Sequence, residues 1–383
     1  MRRRLVIITE IISPYRIPLF NVLAREPNVD LHVIFLAETD PGLRQWKVYK
    51  EEIRFSYEVL SSWRKQIGVY NLLLDIGIIG ALRRARPDLI LCGGYSYVAS
   101  WQALFWSRWN SVPFLLWSES NRQDIRGGHS FVELLKRAFL RECSGFVVPG
   151  RSAAQYLLDH GVKERDIFTA VNAVDNDFFC SAAARARQSA PELQSKFGLP
   201  ARYVLYSGRL VRQKGVFELL AAYAKLESSL REQMGLVFAG DGSCRGLLEE
   251  RCQSISPGVV KFTGFVQREQ LPIYYALAEM LILPTYTDTW GLVVNEAMAC
   301  GLPVIVSQAA GCAADLVTKG WNGDIVDPTD VNGLSERIRG LAMQPELRAS
   351  MSMNGRNRIQ SYSPEEWTKG IVHMLAKTGE VRA

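Results

Sequence analysis

Short apolar runs alternate with segments of helical periodicity along this chain, and this alternation restricts its fold more than any other feature. In the first half, the predicted strands are residues 5–8, 31–35, 89–91, 114–117, 145–148 and 167–170. The predicted helices between them are residues 18–24, 69–85, 96–109, 132–141 and 153–160. Strands and helices in regular alternation are typical of β-α-β units on a parallel sheet. The sequence therefore predicts an α/β fold.

The alternation breaks once and then resumes. Residues 175–200 are rich in Ala, Ser and charge, as a linker would be. A second series follows, with predicted strands at residues 203–207, 236–239, 260–263, 280–283 and 304–306. Its predicted helices are residues 216–228, 244–253, 268–276, 293–299 and 331–342, and a last helix at 362–377 starts at a Ser-Pro pair.

A chain of 383 residues exceeds one ordinary core, so two domains are expected. We predict a Rossmann-like domain at residues 1–180, a linker at 181–200 and a second Rossmann-like domain at 201–360. Residues 361–383 are predicted to be a crossover helix and tail. Ligands of such sheets bind at the carboxyl ends of the strands.

Composition excludes several classes of protein. With 48% hydrophobic and 22% charged residues, the chain resembles a soluble globular enzyme. The net charge of +6 comes from short basic clusters that we interpret as solvated faces, so no nucleic-acid partner is expected. Seven cysteines without a C-x-x-C pair predict reduced thiols and a cytoplasmic location. Glu10 interrupts the first apolar stretch, which favours a buried strand over a signal peptide, and no transmembrane helix is expected.

Residues 284–303 place two carboxylates around a helix entrance. Asp288 lies in the preceding turn and Glu296 in the second helical turn, while Gly291 lets a ligand approach the free N–H groups. Such an entrance attracts phosphate, and a carboxylate can accept hydrogen bonds from two neighbouring hydroxyls. A nucleotide-sugar has both groups. The alternative is an ordinary turn of an α/β unit.

A loop at residues 207–215 supplies the matching cations. Gly208 and Gly215 permit close backbone approach, and Arg209 and Lys214 bring two positive charges to the end of a strand. An Arg and a Lys can stabilise a departing diphosphate without a metal ion, and no metal-ligand cluster is apparent. The alternative, two surface cations, loses weight because the two carboxylates belong to a later strand-helix junction of the same sheet.

Several motifs of this chain together resemble those of a known protein family. They are Gly-Arg-Leu with Lys-Gly at 208–215, Ala-Gly-Asp-Gly at 239–242, Phe-Thr-Gly-Phe-Val at 262–266, the 288–303 segment, and Asn-Ala-Val-Asp at 172–175. This set resembles the retaining GT-B glycosyltransferases of family 4. The resemblance implies two Rossmann-like domains facing a cleft, with a C-terminal helix that packs back toward the N-terminal domain.

The resemblance also implies an activity. It is the retaining transfer of a hexose-type sugar from a nucleotide-diphosphate sugar to a hydroxyl of a saccharide, lipid-linked or small-molecule acceptor. Retention would proceed by same-face substitution, in which the departing phosphate oxygen helps to take the acceptor proton. No metal and no cofactor would be needed. The expected donor is a UDP-sugar first and a GDP-sugar next.

Roles for residues follow from the same resemblance. Arg209 and Lys214 would hold the diphosphate, Glu296 the ribose hydroxyls, and Asp288 a hydroxyl of the sugar. Backbone near Phe265 would bind the base, and amides after Asp288 would touch phosphate and sugar. The donor-binding set is Gly208, Arg209, Lys214, Phe265, Val266, Asp288, Trp290, Gly291, Leu292 and Glu296, of which Arg209, Lys214 and Asp288 are also candidate catalytic residues.

The chain departs from the family pattern in two places. Asp288 stands where the family usually has glutamate, which changes the reach of the carboxylate and so could change the donor. The first-domain turn often holds a glycine pair, but here it contains Ser13 and Arg16, our acceptor-side candidates. Arg16 could replace amide contacts with a cation or be structural.

A histidine is common after the fourth or fifth strand of the family, and this chain has Glu119 there. Glu119 is a candidate catalytic residue, and the alternative is a salt bridge to Arg122 or Arg126. His129, beside two glycines, is a second catalytic candidate, and the alternative is a surface histidine.

Aromatic residues gather in the first domain. Tyr95 and Tyr97, beside a glycine pair at a strand end, are further acceptor-side candidates. Positions 97, 101 and 105 share a helical face, which is more often core than a sugar platform. The segment at 63–65 and the apolar helix after it could contact anionic lipid at the inner membrane surface. Soluble acceptors remain open.

Two other functions fit the same architecture. One is a GT-B-fold nucleotide-sugar epimerase, which would convert the donor without an acceptor. The other is a non-catalytic nucleotide-sugar-binding module, which the presence of Arg209, Lys214 and Glu296 disfavours.

Overall fold

The computed structural model describes residues 2–40, 45–67, 70–75, 77–123 and 130–380. The chain forms two compact units. The first unit comprises Met1–Asn172 together with Pro364–Ala383, and the second comprises Ala173–Ser363.

The first unit is built from strands and helices in alternation. Its strands are β1 (Arg3–Thr9), β2 (Val29–Phe35), β3 (Ser56–Val59), β4 (Ser62–Ile67), β5 (Tyr70–Asp75), β6 (Leu89–Cys92), β7 (Phe114–Trp117), β8 (Gly145–Val148) and β9 (Ile167–Thr169). Its first helices are α1 (Ile17–Leu23), α2 (Ile78–Ala85), α3 (Val98–Trp109), α4 (Ser130–Glu142) and α5 (Arg151–Asp159).

Within the described residues, the main sheet of this unit has seven strands in the order β3-β2-β1-β6-β7-β8-β9. Neighbouring strands are parallel. The side chains of Leu5, Val6 and Ile7 in β1 are fully buried, as expected for a central strand covered on both faces.

One predicted helix in this unit is wrong in its first half. Residues 70–75 form β5, which pairs antiparallel with β4, and helix α2 begins only at Ile78. A short apolar run fits a strand or a helix equally well, so periodicity alone could not decide. The segment at 63–65 lies in β4, and its side chains lie outside the described part of the structure. No helix among the described residues is long and apolar enough to cross a membrane.

The second unit repeats the alternation. Its strands are β10 (Tyr203–Ser207), β11 (Gly235–Ala239), β12 (Val260–Gly264), β13 (Met280–Leu283), β14 (Val304–Ser307) and β15 (Gly323–Val326). Its helices are α6 (Asn176–Gln188), α7 (Ala190–Phe197), α8 (Val216–Ala224), α9 (Ser228–Gln233), α10 (Arg245–Cys252), α11 (Leu271–Leu277), α12 (Leu292–Ala299), α13 (Ala313–Leu316), α14 (Val331–Ala342) and α15 (Pro345–Ile359).

The strand order of the second unit is β12-β11-β10-β13-β14-β15. The chain runs outward from β10 to β12 on one side and then outward from β13 to β15 on the other. The direction of winding therefore reverses between β10 and β13. In open parallel sheets, this reversal opens a crevice at the carboxyl ends of the two strands, where ligands bind.

The structure differs from the predicted linker at 181–200. That segment is helical, in α6 and α7, and it belongs to the second unit. Asp175 caps α6 by accepting a hydrogen bond from the Phe178 amide at 2.9 Å. Phe179 and Ala183 of α6 are buried, because α6 packs on α11 and α12. The unit boundary lies at Asn172.

The chain ends in helix α16 (Pro364–Glu380), which is part of the first unit. Its Trp367 is fully buried, with ring centroids 5.8 Å from Phe20 and 5.6 Å from Trp117. Gly370 lies where a side chain would meet the carbonyl of Thr169. The last helix therefore returns to the N-terminal unit, as the family resemblance implied.

Candidate functional site

The loops that follow β10 and β13 lie directly against each other. The Tyr286 amide donates to the Gln213 carbonyl at 2.9 Å, and the Thr285 hydroxyl donates to the same oxygen at 3.1 Å. Gly215 has a φ of 68°, and a Cβ there would lie 1.9 Å from the carbonyl oxygen of Pro284. Only glycine fits this contact. The two loops that carry the predicted cations and carboxylates are thus held together by their backbones.

This contact brings two predicted residues together. Nζ of Lys214 lies 2.6 Å from Oδ2 of Asp288, and the two side chains are 16% and 19% exposed. The other oxygen of Asp288, Oδ1, accepts the Trp290 amide at 3.3 Å. The Asp288 carboxylate therefore bridges the lysine and the helix entrance. An ammonium group has three protons, so this pairing still allows Lys214 to donate to a ligand.

Arg209 stands at the end of β10. The Gly208 amide donates to the Ala239 carbonyl at 3.0 Å, and the Leu210 amide donates to the Asp241 carbonyl at 2.9 Å. The buried Tyr206 donates its hydroxyl to the Arg209 carbonyl at 2.7 Å. The backbone of this loop is therefore fixed, while the Arg209 side chain is exposed.

The entrance of α12 has the predicted form. Gly291 is its N-cap, with a φ of 100° that favours glycine. The indole of Trp290 is buried, and its Nε1 donates to Oδ1 of Asn295 at 2.9 Å. The Trp290 ring therefore anchors the first turn of the helix that begins at Leu292. The predicted contact of the Trp290 backbone with a ligand stays a prediction, and the Trp290 amide donates to Asp288 in this structure.

Glu296 lies in the second turn of α12 and has a buried partner that the sequence did not reveal. The Tyr275 hydroxyl of α11 donates to Oε2 of Glu296 at 2.6 Å, and it lies 3.0 Å from Oγ of Ser207 at the end of β10. Burial raises the pKa of Glu296 to about 7, and the Tyr275 hydrogen bond acts against this rise. The only sequence signal was a tyrosine in an apolar helix, since a buried tyrosine hydroxyl needs a partner.

The predicted base-binding segment follows β12. Phe265 is 40% exposed, whereas Val266 is buried. The pairing register of β11 and β12 shifts between Phe238 and Ala239, where the chain approaches this segment. The segment therefore presents an aromatic ring to solvent at the carboxyl edge of the sheet.

A cavity of about 310 Å³ adjoins the same two loops. It is lined by Arg212, Gln213, Glu218 and Tyr286, none of which was predicted from the sequence. Gln213 directly precedes Lys214 in the chain, and Tyr286 lies two residues before Asp288, so the cavity adjoins the Lys214–Asp288 pair.

In the first unit, Arg16 and Glu119 form an ion pair. Arg16 donates from one nitrogen to Oε1 of Glu119 at 3.3 Å and from another to Oγ1 of Thr9 at 2.8 Å. Its guanidinium carbon lies 4.3 Å from the ring centroid of Trp117. The Arg16 amide donates to the carbonyl of Ser13, which is buried. Two candidates 103 residues apart in sequence are thus in contact.

The alternative role predicted for Glu119 was a salt bridge to Arg122 or Arg126. Arg122 pairs with Asp159. Arg126 and the candidate His129 lie outside the described residues.

The aromatic candidates separate into two environments. Tyr95 packs on Phe139 with ring centroids 5.8 Å apart, and Tyr97 also packs against the core of the first unit. Burial raises the pKa of Tyr95. On the predicted helical face, Trp101 packs on Phe139 at 4.9 Å, while Phe105 is 65% exposed. On this helical face, Trp101 is therefore packed in the core, whereas Phe105 is exposed to solvent.

The described residues contain no group of three or more His, Cys, Asp or Glu side chains suited to a metal ion.

Comparison with known families assigns part of the chain. Residues 191–358 match the family model described as glycosyl transferases group 1. The match covers less than half of the chain. The matched segment contains Arg209, Lys214, Asp288 and Glu296, and also Tyr275.

Curated relatives resemble the chain over part of its length. The chain is 32% identical over 181 residues to the alpha-D-kanosaminyltransferase of Streptomyces kanamyceticus, covering 47% of this chain and 46% of that protein. It is 30% identical over 194 residues to the GDP-mannose-dependent alpha-(1-6)-phosphatidylinositol monomannoside mannosyltransferase of Mycolicibacterium smegmatis, covering 48% and 49%. The chain thus spans about half the length of these curated relatives.

Solved structures extend the fold to both units. The crystal structure of Anabaena HepE in complex with UDP and glucose aligns with a TM-score of 0.75 at 18% identity, covering 98% of this chain and 100% of that one. The predicted fold class, α/β with two Rossmann-like parallel-sheet domains of the GT-B type, is confirmed.

Proposed function

We propose that this chain is a retaining glycosyltransferase that moves a hexose-type sugar from a nucleotide-diphosphate sugar to an acceptor hydroxyl. One observation carries the proposal. At the switch point of the matched segment, the loops after β10 and β13 hold Lys214 2.6 Å from Asp288, beside the helix that carries Glu296. Cations for a diphosphate and carboxylates for hydroxyls therefore occur together where ligands of such sheets bind.

The donor we propose is a UDP-sugar first and a GDP-sugar next. One curated relative is GDP-mannose-dependent by its name, and Anabaena HepE was crystallised with UDP and glucose. In this chain, Glu296 would accept the ribose hydroxyls, and the segment at Phe265 and Val266 would bind the base. Amides of Gly291 and Leu292 would meet phosphate and sugar.

In the proposed mechanism, leaving-group stabilisation replaces metal chemistry. Arg209 is exposed at the strand end, and Lys214 retains one ammonium proton beyond those it donates to Asp288 and to the Thr287 carbonyl 3.4 Å away. Two cations can neutralise the charge that develops on a departing diphosphate. The departing phosphate oxygen would take the acceptor proton on the same face of the sugar, so retention follows. No cofactor is required in this scheme.

For the acceptor side, we propose the Arg16–Glu119 pair of the first unit. Glu119 can accept a hydroxyl of the acceptor while Arg16, fixed by Thr9 and Trp117, holds the carboxylate in place. The acceptor class is a saccharide, a lipid-linked saccharide or a small molecule. We place the enzyme in the cytoplasm, with peripheral contact to the inner membrane surface if the acceptor is lipid-linked.

Thermal-shift measurements across UDP-, GDP-, ADP- and dTDP-sugars test the donor. One nucleotide class should raise the melting temperature of the wild-type protein and not of the Lys214→Ala variant. Incubation of the stabilising donor with acceptor mixtures should then release nucleoside diphosphate and a glycosylated product. An epimer of the donor without an acceptor would instead identify an epimerase, and binding without turnover would identify a non-catalytic module.

A further inference from the structure

The Glu296 carboxylate is hydrogen bonded to the Tyr275 hydroxyl, which is in turn hydrogen bonded to the Ser207 hydroxyl. Tyr275 lies on α11, Glu296 on α12, and Ser207 at the carboxyl end of β10. The Tyr275 oxygen is 2.6 Å from Oε2 of Glu296 and 3.0 Å from Oγ of Ser207. A single side chain therefore links the carboxylate to the strand that leads into the loop of Arg209 and Lys214.

The direction of these hydrogen bonds follows from proton counting. A tyrosine hydroxyl carries one proton and can also accept. Since a carboxylate is the stronger acceptor and lies at the shorter distance, the Tyr275 proton points to Glu296. The Ser207 hydroxyl then donates to the Tyr275 oxygen. Burial first, and Glu296 second, raise the pKa of Tyr275, so its hydroxyl stays a donor.

This arrangement fixes one carboxylate oxygen. Tyr275 and Ser207 are buried, whereas the exposure of Glu296 is intermediate. With Oε2 occupied by Tyr275, the carboxylate plane has a defined orientation, and the remaining acceptor positions are set for ligand hydroxyls. Two neighbouring hydroxyls require that orientation, because both hydrogen bonds must be aligned at once.

We propose that Tyr275 is the positioning residue that orients the Glu296 carboxylate for the donor ribose, and that protonation of this carboxyl gates donor binding. This inference rests on the proposed function. It goes beyond that function by adding a residue and a pH dependence to the donor site.

Burial and the Tyr275 hydrogen bond determine the pKa of Glu296, and the nearby cations lie at the end of α12. Burial raises the pKa of Glu296 to about 7, and the Tyr275 hydrogen bond lowers it. On the helices packed against α12, Arg187 of α6 donates to the Cys300 carbonyl, and Arg356 of α15 lies beside Gly301. Both guanidinium groups are at the C-terminal end of α12. Burial first, and Glu296 second, raise the pKa of Cys300 at that end.

The ionised carboxylate accepts hydroxyl protons, so donor affinity should rise with pH through about 7 in the wild type. Removal of the Tyr275 hydroxyl removes the group that lowers this pKa. The midpoint of donor binding should therefore move to higher pH in Tyr275→Phe.

The experiment compares Tyr275→Phe with Tyr274→Phe, which removes the same atom from the preceding residue of the same helix. Donor binding and steady-state kinetics are measured from pH 5.5 to 9. We expect Tyr275→Phe to raise Kd and donor KM about tenfold at pH 7, with kcat changed less than about threefold. We expect its pH midpoint to rise by about half a unit or more, whereas Tyr274→Phe should match the wild type. Ser207→Ala should shift the midpoint in the same direction by less.

A second readout separates this inference from the proposed function. NMR titration of a ¹³C-labelled Glu296 carboxyl needs no donor. A midpoint that is the same in the wild type, Tyr275→Phe and Ser207→Ala would overturn the inference, even if the enzyme transfers sugar. A shifted midpoint in a protein that binds no nucleotide-sugar would overturn the proposed function and the gate, while the Tyr275–Glu296 coupling would stand.

Discussion

The ammonium nitrogen of Lys214 lies 2.6 Å from Oδ2 of Asp288, and the two residues come from loops that follow neighbouring strands of one sheet. The pair is mostly buried, so its charges are partly shielded from water and interact more strongly than a surface pair would. Asp288 also receives the Trp290 amide at the entrance of α12. A change at either residue should therefore affect both the cation and the helix entrance.

Lys214→Ala should abolish most transfer activity. It removes a cation proposed to stabilise the leaving diphosphate, and loss of such a group typically costs about 10²–10³ in kcat. The measurement is nucleoside diphosphate release at saturating acceptor. The exposed Lys225, at the end of α8, provides the control: Lys225→Ala should retain full activity. Equal activity of Lys214→Ala and the wild type would contradict the assignment.

Asp288→Asn should separate charge from structure. Asparagine can still accept the Trp290 amide through Oδ1, so the melting temperature should change by only a few degrees. It cannot neutralise Lys214, and we expect turnover to fall at least about tenfold, with donor hydroxyl preference altered. Transfer rates with donors that differ at one sugar hydroxyl measure the change in donor preference. An unchanged donor profile would mean that Asp288 serves the lysine alone.

Glu296→Gln should stabilise the protein at alkaline pH while it weakens donor binding. The folded pKa of Glu296 is raised from 4.5 to about 7, so its ionisation destabilises the fold. The free energy of unfolding of the wild type should thus fall by on the order of 3 kcal/mol between about pH 4.5 and about pH 7 because of this group. Above about pH 7 the contribution of this group should be constant. In Glu296→Gln this part of the pH dependence should vanish. Urea unfolding at pH 5 and pH 8 measures the free energy of unfolding of both proteins. If Glu296→Gln lost as much stability between the two pH values as the wild type, the expectation would be refuted.

Gly215→Ala should lose both stability and activity. The φ of 68° disfavours alanine, and the added Cβ would overlap the Pro284 carbonyl. We expect a loss of about 2–4 kcal/mol and a displaced Lys214. Gly246 of α10 is the matched control, because a Cβ there meets nothing within 4 Å. Gly246→Ala should be neutral or stabilising by up to about 1 kcal/mol.

The sequence was most informative where local chemistry determines structure. Glycines, cations and carboxylates at strand ends predicted the loops at 208–215 and 284–291, because the carboxyl ends of parallel strands share an edge. Their contact distance could not be predicted, since it depends on how closely Gly215 approaches Pro284.

Non-local partners account for most of what was missed. Tyr275 and Glu296 are 21 residues apart, and Arg16 and Glu119 are 103 apart. No periodicity relates such pairs. Strand β5 was mistaken for the start of a helix because its apolar run has no decisive period. Helix α6 was interpreted as part of a linker because its Ala-rich and charged composition hides the face that packs on α11.

The placement of Trp367 has a consequence for how the protein is made. The first unit is discontinuous in sequence, since its aromatic cluster with Phe20 and Trp117 is complete only after α16 has been synthesised. The second unit is continuous in sequence, and all of its residues are synthesised before α16. Residues 1–172 expressed alone would lack Trp367, whose loss from a core costs about 3–5 kcal/mol. The N-terminal unit therefore begins first on the ribosome and is finished last.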